Sequence, residues 1–127
     1  MIKKMKDEAI LLLEQAKEDF ETARINLNGK RYYATVQFCQ QSLEKALKAL
    51  WLKEKKKDYP YIHDLTFFMK ALELPEKFGN ICKDLTTAYA ETRYPTNIIP
   101  AKKFSKEDAK EILEKTNEVL KWIRKRA

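Results

Sequence analysis

A chain of 127 residues with 26 Lys and Arg against 19 Asp and Glu carries a formal net charge of +7. That length makes one domain, 1–127, large enough to bury a core without disulfide or metal staples. Charged residues at 35% beside hydrophobic residues at 44% exclude a disordered chain, and with only two Gly and four Pro the elements must be long.

The first predicted helix covers 6–28. Ala9, Leu12, Ala16, Phe20, Ala23 and Leu27 step along it as a heptad-like seam. Asn28-Gly29-Lys30 ends it, with Gly29 expected as the left-handed cap. So short a link to the next helix predicts an antiparallel hairpin.

The central helix is predicted over 32–52. Val36, Cys39, Leu43, Ala46, Leu47 and Leu50 form its apolar face. A second line, Gln37, Gln41, Glu44 and Lys48, falls on one narrow stripe bracketed by Tyr33 and Trp51. This stripe reads as a solvated face with a favourably ordered Glu–Lys pair, or as one wall of a polar site.

Tyr59-Pro60 interrupts the helical pattern after the basic run 53–57. His63-Asp64 opens a third helix, with Asp64 at its positive end, and Leu65, Phe68, Met69 and Leu72 supply the apolar face. Leu74-Pro75 closes it or begins the fourth helix, whose period runs through Phe78, Ile81, Cys82, Leu85, Ala88 and Tyr89. Pro95 requires a stop near Thr92 and Arg93. Residues 94–104 are irregular, and loops of that length in small domains are often functional or mobile. Ser105 and Asp108 set a capping box for the last helix, with Ala109, Ile112, Thr116, Val119 and Ile123 as its buried seam. Trp122 lies off that seam, as a core plug or a dimer contact.

The expected fold is therefore all-α, a five-helix, mostly antiparallel up-and-down bundle. Short links between helices two, three and four bring the end of the second to the start of the third and the finish of the fourth. Lys48 and Trp51, His63 and Asp64, and Arg93 and Tyr94 then become neighbours. An Arg fork, a His that exchanges protons near neutral pH, a Lys and acids suit a phosphate or nucleotide. A purely structural arrangement is the alternative, with His63 capping its helix and Arg93 paired to Asp64 or Glu91.

The basic clusters 3–6, 53–57, 102–103 and 121–126 permit an anionic partner, whether RNA, a nucleotide or an acidic protein, or serve only solubility. Cys39 and Cys82 have no metal-motif spacing, and a single His cannot supply one, so no metal or cofactor is expected. The apolar run 10–13 is too short for a secretion signal, and no segment reaches membrane-spanning length. A cytoplasmic location with reduced cysteines follows as the expectation.

The run Gln40-Gln41-Ser42-Leu43-Glu44-Lys45-Ala46-Leu47-Lys48-Ala49-Leu50, followed by His63-Asp64-Leu65 and Arg93-Tyr94-Pro95, resembles the HEPN domain (higher eukaryotes and prokaryotes nucleotide-binding). The small prokaryotic stand-alone members are the most similar in pattern, and the likeness covers nearly the whole chain. The resemblance implies a bundle of the nucleotidyltransferase substrate-binding-subunit type, commonly a homodimer. It also implies a nucleotide- or RNA-binding module encoded beside a minimal nucleotidyltransferase, in a two-component toxin–antitoxin-like pair. The binding residues would be Arg93, His63, Lys48, Glu44, Asp64 and Tyr94. Some members are metal-independent ribonucleases carrying an Arg followed by four to six residues and a His. Here Arg93 is followed through Pro100 by no His, which leans away from an enzyme; a ribonuclease would have to use Arg93 with His63. A helical interaction scaffold without a ligand site is the third reading.

Overall fold

Ala9, Ala16 and Ala23 recur every seven residues, and all three are buried. Their small side chains let the first helix, α1 (Ile2–Asn28), approach the second, α2 (Tyr32–Lys55), closely along its length. The partners on α2 step the other way by the same interval. Ala9 clusters with Ala49, the Ser42 hydroxyl donates to the Ala16 carbonyl at 2.6 Å, and Thr35 Oγ1 donates to the Ala23 carbonyl at 3.1 Å. The pair is thus an antiparallel hairpin in a fixed register, with each buried hydroxyl satisfied by the backbone it faces.

This computed structural model describes residues 2–93 and 103–127. After α2 come α3 (Leu65–Ala71), a 3₁₀ turn at Glu76–Phe78, α4 (Gly79–Arg93) and α5 (Lys106–Arg126). The described residues form an all-helical bundle of five α-helices and contain no strand. α2 is the axis of the core. Val36, Leu43, Leu47 and Leu50 are fully buried there against Leu65 and Phe68 of α3, Leu85 of α4 and Val119 and Ile123 of α5.

Three helix ends close on non-glycine residues in the left-handed region: Lys30 (φ 62), Lys56 (φ 53) and Glu73 (φ 55). The expected cap, Gly29, has no positive φ. The closing bonds explain the shift. Arg31 N–H donates to Asn26 O at 2.8 Å and Lys30 N–H to Leu27 O at 3.1 Å, so the left-handed position falls one residue after the glycine.

α3 begins where expected, with the Asp64 carboxylate accepting from Thr66 N–H at 2.9 Å. The connection between α2 and α3 is tied back by Trp51, whose indole N–H donates to the Asp58 carbonyl at 3.2 Å and whose ring packs on Phe67 and Phe68. Ser105 and Asp108 form both bonds of the capping box on α5. Trp122 packs edge-on against Phe78 beside the core. Glu91 pairs with Lys103 at 2.5 Å, joining the end of α4 to the approach to α5.

Candidate functional site

Gln40, Glu44 and Lys48 stand four residues apart on α2, one above another. Gln40 is fully buried, and the side chains of Glu44 and Lys48 are only 14% and 11% exposed. Glu44 accepts three hydrogen bonds. Its Oε1 accepts from Gln40 Nε2 at 2.8 Å and from His63 Nδ1 at 2.9 Å, and its Oε2 accepts from Lys48 Nζ at 3.1 Å. A carboxylate only accepts, so His63 carries its proton on Nδ1, and Nε2 has no hydrogen-bond partner among the described residues.

His63 reaches Glu44 because its neighbour Asp64 is fixed as the α3 cap, by Thr66 N–H and by Thr66 Oγ1 at 2.5 Å. The imidazole stacks on Tyr89 of α4, with centroids 4.4 Å apart and planes inclined by 20°. One turn further along α4, the Arg93 guanidinium carbon lies 4.0 Å from the centroid of the same ring. His63 and Arg93, 30 positions apart, therefore share Tyr89 as a common platform. Arg93 is exposed and is paired with no carboxylate among the described residues; Asp64 and Glu91, its two potential partners, are engaged with Thr66 and Lys103.

The network extends in one further direction. Lys48 Nζ lies 4.9 Å from the centroid of the Tyr59 ring, and the Tyr59 hydroxyl donates to Glu8 Oε1 on α1 at 3.3 Å. Burial, and then the negative charge of Glu8, raise the Tyr59 hydroxyl above its ordinary pKa, so it stays a donor.

Of the residues singled out from the sequence, Glu44, Lys48, His63 and Arg93 are brought together. Asp64 lies beside them as a cap, and Tyr94 falls outside the described residues. Trp51 packs elsewhere, against Phe67 and Phe68. The assembly also sits beside the middle of α2 rather than at its end. The connection 56–64 folds back along the helix, pinned by Trp51 at one point and Glu44 at another.

Gln37 and Gln41 stand outside this network, and Gln40 takes the place the stripe assigned to them. Sequence reasoning passed over Gln40 because it lies at the spacing of Val36, Leu43 and Leu47, on the apolar face. A single amide in that face is itself the signal, since a buried polar group must find a partner. Tyr89 falls in the helical period of α4, and its position four residues before Arg93 places both on one side of that helix.

What this arrangement can do is hold an anion and move a proton. Arg93 presents a fork for phosphate oxygens, and the Nε2 face of His63 can donate or accept. Glu44 orients rather than binds, because both its oxygens are occupied. The thiols take no part: burial pushes Cys39 up to about 12 against a smaller opposing contribution from Thr116, and burial with the Asp64 charge does the same for Cys82. Among the described residues no cluster of His, Cys, Asp and Glu could hold a metal, and no helix is long and apolar enough to cross a membrane.

Four helices around a central one, with His63 bonded to Glu44 of that helix and sharing the Tyr89 ring with Arg93, define a small all-α bundle domain. The HEPN domain profile matches residues 9–126, and the chain belongs to that family. A crystal structure of TT1696 from Thermus thermophilus is similar at 25% identity and a TM-score of 0.85, over 94% of this chain and 98% of that one. A crystal structure of ST0689, an archaeal HEPN homologue, shares the fold at 20% identity and a TM-score of 0.80, over 94% of this chain and 97% of that one. No curated protein matches the chain.

Proposed function

We propose that this protein is a HEPN-type binding module that takes a phosphate group of a nucleotide or an RNA between Arg93, His63 and Lys48. It works in the cytoplasm as a homodimer and as the helical partner of a minimal nucleotidyltransferase. The observation that carries the ligand reading is the shared Tyr89 platform, which holds an exposed guanidinium and an imidazole with an open Nε2 beside the Glu44–Lys48 pair. Family membership supports the partner and the dimer.

Titration of ATP and of a short RNA into the purified protein tests it. Arg93→Ala is expected to weaken binding at least tenfold, since a charge-assisted fork to phosphate contributes about 1.5–3 kcal/mol. Affinities unchanged in both Arg93→Ala and His63→Ala would overturn the assignment.

One observation favours a second reading, metal-independent ribonuclease. A carboxylate on Nδ1 with Nε2 open is the arrangement a proton-shuttling His requires, and Arg93 would stabilise the phosphorane charge. Cleavage of RNA by chelator-treated protein, lost in both variants, would establish that reading in place of simple binding.

A further inference from the structure

The basic segments 3–6, 53–57 and 121–126 are remote in sequence and meet at one pole of the bundle. The joints are explicit. Arg126 forks onto Glu54 with Nε at 2.6 Å and Nη2 at 2.5 Å, and Lys53 Nζ donates to the Ala127 carbonyl at 2.9 Å. Lys6 of α1 lines a small recess of about 70 Å³ together with Leu52 and Lys53 of α2 and Lys56 just beyond it.

Helix dipoles account for only part of this charge. α2 and α5 both finish at the pole, where lysines and arginines in the last turn are favourable. α1 starts there, and its first turn holds Lys3 and Lys4 and no acid, against the sign of its own dipole. The excess positive charge is thus not explained by stability of the fold.

Two aromatic side chains stand out into this field. Tyr61 is 92% exposed, at the lip of a cleft of about 290 Å³ that it shares with Lys4, Met5, Glu8, Asp58 and Tyr59. Phe67, 41% exposed, packs on Trp51, and Lys55 and Lys57 each bring Nζ to 5.8 Å from the Trp51 ring. Lys4 thus lines the cleft of Tyr61, beside Glu8 and Asp58, and Lys55 and Lys57 approach Trp51, the ring on which Phe67 packs.

We infer that this pole is a docking surface for a single-stranded nucleic acid, with the lysines holding phosphates and Tyr61 and Phe67 stacking bases. An acidic protein segment would meet the lysines with carboxylates but brings no regularly spaced planar groups to the two rings, and a duplex keeps its bases inside. A single strand alone offers both phosphates and open base faces. Tyr61 is two residues from His63 and packs on Tyr59 with centroids 6.0 Å apart. The lysines of the surface lie apart from the phosphate site proposed above, Lys55 being three turns, about 16 Å, beyond Glu44 along α2. The inference therefore does not rest on that reading, although the Lys48–Tyr59 contact joins the two regions.

Fluorescence anisotropy of labelled oligo(U) and oligo(dT) of about twelve nucleotides, beside a duplex and with poly-glutamate as competitor, tests the surface in the full chain. Tyr61→Ala, too exposed to disturb the fold, is expected to weaken both single strands about five- to a hundredfold and leave duplex binding unchanged. Lys55→Gln with Lys57→Gln is expected to flatten the log–log salt dependence by about 1.4. RNA preferred over DNA or equal binding of both would each support the surface, the first adding contacts to the 2′-hydroxyl. The loss in Tyr61→Ala is expected to persist, at the same factor, in a His63→Ala and Arg93→Ala background, which removes the phosphate site proposed above. Binding unchanged in Tyr61→Ala, poly-glutamate competing as well against that variant as against the parent, would overturn the inference in favour of an acidic protein partner. Strand binding lost only in the His63 and Arg93 variants would overturn it in favour of the other site.

Discussion

His63 Nδ1 lies 2.9 Å from Glu44 Oε1, the same oxygen that accepts the Gln40 amide. The contact fixes which face of the imidazole is open. In the neutral ring the proton should reside on Nδ1. Nitrogen-15 spectra of the imidazole should show that tautomer dominating in the parent protein. In Glu44→Gln, whose amide can donate as well as accept, a mixture is expected, together with weaker phosphate binding. An unchanged tautomer distribution would show that the Glu44 carboxylate does not fix the tautomer.

Lys48 neutralises a carboxylate that is almost enclosed. Lys48→Met should cost about 3 kcal/mol in urea unfolding, because it leaves Glu44 charged without its partner. Adding Glu44→Gln should recover at least half of that loss, since the remaining groups are neutral and can still hydrogen-bond. Two losses that simply add would show that the pair is not coupled.

The turn after α1 places a lysine where a glycine fits best and a glycine where an alanine fits. Lys30 sits at φ 62, and a Cβ on Gly29 would meet only ordinary contacts, Ile25 O at 3.5 Å and Asn26 O at 3.7 Å. Lys30→Gly and Gly29→Ala should each raise stability by up to about 1 kcal/mol, or about 2–6 °C in melting temperature. A lower melting temperature in Gly29→Ala would show that the backbone there is under constraints beyond its own turn.

Alkaline conditions should weaken the fold through its thiols. Folded Cys39 and Cys82 both hold their protons to about 12, against an ordinary value of 9.0. Stability is therefore unaffected by them below pH 9 and falls between about 9 and 12, as unfolded thiols ionise and folded ones do not. Tyr59, raised from 10.0, acts in the same direction. The limiting slope is about 1.4 kcal/mol per pH unit for each thiol. Urea midpoints should fall more gently with pH in Cys39→Ala with Cys82→Ala, and the native thiols should resist alkylation at pH 8.

The helices were legible in the sequence because their signals are local. The seven-residue alanine step of α1, the Asp64 cap, the Ser105–Asp108 box and Pro75 each act within a turn or two of themselves. The turn at 29–30 was misplaced by one residue, because glycine preference marks the neighbourhood of a helix stop while the closing hydrogen bonds choose the residue. Glu44, Lys48, His63 and Arg93 were legible as chemistry, since their residue types in that order also carry the resemblance to the family.

By itself the sequence determined the all-helical class, the antiparallel pairing of the first two helices and the residues able to meet a phosphate. Periodicity, capping and side-chain chemistry are properties of short stretches, so one chain displays them directly. Only the tertiary structure decided that Gln40 rather than Gln37 or Gln41 completes the Glu44 network, that Tyr89 joins His63 to Arg93, and that three distant basic segments share one pole. Those relationships depend on how helices cross and where a connection folds back. They are set by the packing of Trp51, Phe68 and the alanine seam, whose shape no single stretch encodes.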